Sequence, residues 1–185
     1  MFERFRRERA KAKANAGLVD DVFAAIAAAA RRTAHYTVHA VADTVMGRYE
    51  MLALHMWLFQ HRAKNGSPEL KAMAQDVVDV FFREIDHTLR EIGIGDTSVP
   101  KRMKKLARMV YGRWEAYGTA LVADDRMAMS DALRRNVYAE GGDDRGADAL
   151  ADYAFRAAEL LRDQPDTDFL QGRIAYPEPV ETVEA

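Results

Sequence analysis

The chain contains no cysteine among its 185 residues. That absence removes disulfides, thiolate zinc sites, iron–sulfur ligation, covalent haem attachment and cysteine nucleophiles together. Long apolar runs are missing too. The longest candidate, Val22 to Ala30, is alanine-rich and nine residues long, against the roughly 18 to 20 apolar residues that a membrane-spanning helix needs. There is no strong excess of one charge: the net charge of −2 gives no overall reason to expect DNA or other nucleic acid as a partner. Proline is scarce and acts as punctuation, with three of the five prolines falling at Pro165, Pro177 and Pro179 near the C-terminus.

What remains is helical. Hydrophobic residues at 49% and charged residues at 30% are ordinary globular proportions, the length suits one domain, and no segment alternates with strand period for long. Residues 1–17 form a basic amphipathic arm, with Arg4, Arg6, Arg7, Arg9, Lys11 and Lys13 against Glu3 and Glu8. Asp20 and Asp21 stand where the apolar part of a signal peptide would begin, so the arm is read as retained. A helical domain follows over 18–163. Leu18, Val22, Phe23, Ile26 and Ala30 make the first stripe, Gly47 interrupts the next stretch, and a helix from Tyr49 to His61 carries Leu52, His55, Met56 and Phe59. Ser67 caps and Pro68 opens the next helix, whose stripe runs Leu70, Met73, Val77, Phe81, Ile85, Leu89, Ile92. Gly93 then stops it. In the following helix Val99, Met103, Leu106, Val110, Trp114, Tyr117 and Leu121 recur at core spacing. Two shorter helices are expected at 126–139 and 146–162, and the acidic, proline-containing tail over 164–185 should lie extended on the surface or be partly disordered. The expectation is an all-α, single-domain bundle of about six helices.

No residue pattern spells catalysis. There is no nucleophile elbow, phosphate-cradling glycine loop or dinucleotide fingerprint. His35 and His39, four apart, share a helical face, but a metal site needs at least a third ligand, so they are read as two partly exposed histidines near a helix end. His55 beside Met56 raises the question of haem ligation; a packing histidine among core methionines is the plainer reading, and no cofactor is assigned. Asp86 and Arg90 suit a helical ion pair. Six positive charges fall in residues 101–113 with no acid among them: Lys101, Arg102, Lys104, Lys105, Arg108 and Arg113. Lys101, Lys104, Lys105 and Arg108 share the face opposite the apolar stripe. A solvated outer face would account for them, as would contact with RNA phosphates or anionic lipid headgroups.

Two stretches carry a specific resemblance. Val41-Ala42-Asp43-Thr44-Val45-Met46-Gly47-Arg48-Tyr49, ending at His55, is similar to the Val-Pro-Asp-Thr-x-x-Gly-Arg-Phe signature, with its later histidine, of the ubiquinol–cytochrome c chaperone family. Residues 86–113 resemble the family's second signature: Asp86, Leu89-Arg90-Glu91-Ile92-Gly93-Ile94-Gly95-Asp96, Val99-Pro100-Lys101-Arg102-Met103-Lys104-Lys105 and Tyr111-Gly112-Arg113. Weaker similarity at Leu133–Tyr138 and Gly172–Pro179 extends the likeness over about residues 18–180. Ala42, Tyr49, His87 and Ile92 depart from the pattern, where proline, phenylalanine, an arginine-like residue and methionine are expected.

The resemblance implies a non-enzymatic assembly chaperone for respiratory complex III, whose client is newly made cytochrome b. Such a protein works beside the ribosome exit region and, in a bacterium, in the cytoplasm with peripheral contact at the inner membrane. Under that reading His55, Trp57, Asp86, Arg90, Glu91, Gly93, Gly95 and Asp96 hold client or partner. The basic residues from Lys101 to Arg113 dock on phosphate-rich surfaces. A haem-delivery protein for cytochrome b and a small helical enzyme with an unrecognised site are the alternatives.

Overall fold

The computed structural model describes residues 2–91, 99–139 and 144–180, with side chains described except at 2–14, 89, 99, 100, 102 and 144. Among the described residues there are six long helices, α1 (Phe2–Ala30), α3 (Val45–Ala63), α4 (Pro68–Glu91), α5 (Val99–Val122), α6 (Arg126–Asn136) and α7 (Asp144–Asp163). Two single turns complete the order, α2 (Ala34–Thr37) and α8 (Asp166–Phe169). No helix of the described residues is long and apolar enough to cross a membrane.

The centre is α3. From Ala53 to Phe59 every residue is buried, so this stretch has no polar face to give to solvent and must be surrounded. Helices α1, α4, α5 and α7 all pack on it. α4 gives it Leu70, Val77 and Phe81, α7 gives Leu150, Tyr153 and Ala157, and α5 gives Val110 and Tyr117. The Trp114 indole N–H donates to the Ala53 carbonyl at 3.0 Å, tying the register of α5 to α3.

The entry to α3 corrects the reading of Gly47 as an interruption. Thr44 caps the helix by accepting from the Gly47 N–H at 3.0 Å, so Gly47 lies inside its first turn. A Cβ there would stand 1.9 Å from the Ala42 carbonyl oxygen. The helix keeps a residue that costs about 0.5–1 kcal/mol relative to alanine because the loop before it crosses too closely for any other. Gly146 does the same from α7, where a Cβ would lie 2.4 Å from the His39 carbonyl oxygen. The start of α4 is as expected: Ser67 accepts from the Leu70 N–H at 3.2 Å, with Pro68 in the first turn.

Helix α1 runs unbroken from Phe2 to Ala30, through the basic residues of the arm. After the single turn α8 the tail runs extended over residues 173–180, and residues 164–180 form a strap that is partly built into the core. Phe169 and Tyr176 are buried. The Tyr176 hydroxyl donates to the His55 carbonyl at 2.9 Å, and Arg32 donates to the carbonyls of Pro177 and Tyr176 at 2.6 and 3.2 Å.

Beneath the strap lies a cluster of imidazole and phenol rings. His35, His39 and His55 are each 0% exposed, which corrects the expectation that His35 and His39 are partly exposed. His35 lies with its ring centroid 5.3 Å from His39, 5.1 Å from His55 and 4.8 Å from Tyr153. The hydrogen bonds assign the tautomer of His55: its Nδ1–H donates to the Met51 carbonyl at 2.8 Å, leaving Nε2 to accept from the Tyr153 hydroxyl at 2.8 Å. His35 and His39 meet through their Nδ1 atoms at 3.2 Å, so one donates and the other accepts.

Burial holds all three neutral, lowering His35 to about 2 and both His39 and His55 to about 4 from the ordinary 6.5. The unfolded chain therefore takes up protons in acid more readily than the fold does. The contribution of the cluster is complete above pH 6.5 and is lost as pH falls from 6.5 towards 4. Thermal unfolding should show stability falling through that window, by about 1.4 kcal/mol per pH unit for each histidine engaged. A His35→Leu, His39→Leu double variant should flatten the profile; an unchanged slope would refute the assignment.

Candidate functional site

α5 has two unlike faces. Inward it presents Val110, Arg113, Tyr117 and Ala120, all buried, with Met103, Leu106, Trp114 and Leu121 at the margins. Outward, Lys101, Lys104, Lys105 and Arg108 are exposed at the i, i+3, i+4, i+7 positions of one face. None of these four is paired with an acid among the described residues. Met109 and Tyr111, 36% and 52% exposed, flank the stripe, and Gly112 leaves open space between them. The result is a cationic surface bordered by a thioether and a phenol. Arg102 belongs to the run in sequence, but its side chain lies outside the described residues.

Arg113 leaves this face. It turns into the core, where its guanidinium lies 2.7 Å from a Glu50 carboxylate oxygen, the two side chains being 9% and 2% exposed. It also sits over the Tyr49 ring, 5.9 Å from its centroid. The reason is Glu50, a buried acid of α3 that a cation from a facing helix neutralises. Burial pushes the Glu50 carboxyl up to about 7 while Arg113 pulls it down. Burial also raises the Tyr49 hydroxyl to about 12. Glu50 was legible as an acid within an apolar run, but its partner was not.

The residues expected to hold client or partner are not brought together. His55 is 0% exposed and faces Tyr153 of α7 and Tyr176 of the strap. Trp57 is 2% exposed and meets Tyr117 of α5 edge-on at 5.4 Å. Both are core residues whose rings do not reach the surface. Asp86 and Arg90 pair across one turn of α4 at 2.8 Å, and Glu91 lies 3.5 Å from His87, so these charges do occupy an outer surface. Gly93, Gly95 and Asp96 lie outside the described residues. Among the described residues, no group of three His, Asp or Glu side chains is arranged to hold a metal ion.

Sequence reasoning missed a groove of about 760 Å³ on the other side of the molecule, formed by the C-terminal end of α3, the corner between α5 and α6, and α7. Its apolar wall comes from Leu121, Val122, Phe155 and Ala158, with arginines at 62, 126, 156 and 162 around it. The corresponding signal in the sequence was faint: solvent-facing Val122 and Met127 on either side of Asp124-Asp125.

The two kinds of cation on α5 separate by experiment. Arg113→Ala should lower stability by about 3–5 kcal/mol, because it strands a buried carboxylate. Lys104→Ala should change it by less than about 0.5 kcal/mol. Replacing both members of the pair, Glu50→Leu with Arg113→Met, should recover most of the loss. Urea unfolding measures all three, and equal effects of Arg113→Ala and Lys104→Ala would contradict the buried pair.

Comparison with known proteins gives this geometry its family. The chain is 46% identical to the Cbp3 homolog from Brucella abortus, whose crystal structure matches it with a TM-score of 0.85 over 96% of this chain and 97% of that one. It is 23% identical over 129 residues to the ubiquinol-cytochrome-c reductase complex assembly factor 1 of Xenopus laevis. That alignment takes in 69% of this chain and 64% of the frog protein, so the chain spans less than two thirds of that relative's length. The family model described as ubiquinol-cytochrome C chaperone matches residues 37–176, from α2 to the buried tyrosine of the strap. The chain belongs to the ubiquinol–cytochrome c chaperone family.

Proposed function

We propose that this protein is an assembly chaperone for respiratory complex III that binds newly made cytochrome b, and that it is not an enzyme. The observation that carries the reading is the family match over residues 37–176, supported by the all-helical likeness to the Brucella Cbp3 homolog along nearly the whole chain. The surface is consistent with such work. Among the described residues its distinctive chemistry is an unpaired cationic stripe on α5, flanked by Met109 and Tyr111.

In this reading the protein works in the cytoplasm and touches the inner membrane or the ribosome exit region only peripherally. Lys101, Lys104, Lys105 and Arg108 dock on phosphate-bearing surfaces, with the basic first turns of α1 assisting. Asp86, Arg90 and Glu91, at the end of α4, are the outward members of the proposed partner-binding set, whereas His55 and Trp57 act by shaping the core. Haem delivery through His55 is disfavoured by geometry, since both of its ring nitrogens are already hydrogen-bonded beneath the surface.

Deleting the gene in its host should remove cytochrome b from difference spectra and blots while other respiratory complexes persist; normal complex III would overturn the reading. Docking has its own signature. Co-sedimentation with anionic vesicles or with ribosomes should weaken steeply between about 50 and about 200 mM salt. The triple reversal Lys101→Glu, Lys104→Glu, Lys105→Glu should abolish it without changing the unfolding temperature, and full retention would discard the docking face alone.

A further inference from the structure

Among the described residues, one arginine lining the groove between α3, the α5–α6 corner and α7 makes no hydrogen bond or ion pair, although its charge is felt by the buried His39 and Tyr153. The other three of the groove's four arginines are occupied. Arg62 donates to the carbonyls of Leu161 and Gln164 and pairs with Asp166 at 2.5 Å. Arg126 pairs with Asp152 at 2.9 Å and lies over the Phe155 ring at 4.4 Å. Arg162 pairs with Glu159 and Asp163 at 3.3 and 3.2 Å. Arg156, half-buried on α7 and lining the groove, has neither a hydrogen bond nor an ion pair among the described residues.

Beside this guanidinium the wall is apolar, formed by Leu121, Phe155 and Ala158. The groove exposes Val122 at 81%, which a free surface gains nothing by exposing; outside its lining, Met127 of α6 and Leu160 of α7 are exposed at 77% and 40%. Two acids also border the groove. Glu159 is committed to Arg162, and Asp124 is exposed on the turn between α5 and α6.

We propose that this groove docks a segment of a partner protein in which one carboxylate is flanked by apolar side chains, the carboxylate pairing with Arg156 and the apolar groups covering Val122, Leu121 and Phe155. The match is one of number as well as sign. A single unpaired guanidinium offers a planar fork for one carboxylate. A phosphate dianion would require the arginines that are already spent and would meet Asp124 and Glu159. The volume of about 760 Å³ suits several side chains, not one ion. The site lies among α3, α5, α6 and α7, whereas the proposed docking stripe occupies the N-terminal half of α5, so a partner here and a phosphate-rich surface there would make separate contacts.

The test is fluorescence anisotropy with the full chain and a synthetic labelled helical peptide having leucines at i, i+3, i+4 and i+7 with glutamates beside them. Control peptides replace every glutamate by lysine or every leucine by serine. Saturable binding of the acidic, leucine-bearing peptide alone is expected, weakened about tenfold or more by Arg156→Glu and by Val122→Asp. Lys71→Glu, on the exposed face of α4, should leave it unchanged. Val122 is a surface residue, so its variant keeps the test valid should Arg156→Glu fold poorly. Absence of saturable binding, equal binding of the lysine peptide, or indifference to both groove variants would overturn the proposal. So would loss of anionic-vesicle binding in Arg156→Glu with peptide binding intact, which would make the ligand a lipid headgroup. None of these results bears on the chaperone reading, which is decided by cytochrome b in the deletion strain.

Discussion

Everything in this fold answers to a helix that cannot meet water. The stretch of α3 from Ala53 to Phe59 is buried throughout, so its apolar surface is hidden only if other elements cover it from several directions. α1, α4, α5 and α7 do so directly, α6 packs behind α5 and α7, and the strap reaches α3 through Tyr176. This geometry is also why Gly47 and Gly146 matter: the loop from residue 38 to 44 is pressed between α3 and α7 so closely that a side chain on either glycine would strike its carbonyl oxygens. The Tyr138 hydroxyl, donating to the His39 carbonyl at 2.6 Å, anchors the same loop from beyond the end of α6.

A helix surrounded in this way buries polar groups along with apolar ones, and α3 buries two ionisable side chains. His55 and Glu50 are solved in different chemical terms. The histidine is kept neutral and gives both ring nitrogens to oxygen partners, so its burial costs little once those bonds are made. The glutamate faces a guanidinium that cannot discharge, in a setting where desolvation offsets much of the Coulombic gain. The imidazole cluster sits under the strap, and the ion pair joins α3 to α5. Two distant parts of the chain are thereby tied to the central helix by polar contacts, where apolar packing alone would tolerate sliding.

With Glu50 and His55 of α3 turned inward, most surface chemistry falls to the outer helices. The cationic stripe of α5, the charged last turns of α4 and the groove beside α7 are separate surfaces, each built on an element whose inner face is locked by packing. Rigid helices with distinct outer faces suit a protein that holds others by their surfaces, and the family to which the chain belongs is one of chaperones. The signature residues divide accordingly. Gly47, His55 and Arg113 maintain the scaffold, while Lys101, Lys104 and Lys105 face outward.

The sequence by itself determined the helices, the cap at Ser67 and Pro68, the inward stripe of α5 and the basic face opposite it, because those features are local. Capping needs three or four neighbouring residues, and a helical face repeats within two turns. Family membership was legible for a related reason, since ordered signatures survive as strings. Tertiary structure alone decided where the polar residues of those strings point. His55 finds the hydroxyl of Tyr153 98 residues away and the strap tyrosine 121 residues away. Arg113 reads as one more cation in a basic run until α3 presents Glu50 to it. Periodicity states which residues share a face; whether that face meets water, a carboxylate or another ring depends on what the rest of the chain folds against it.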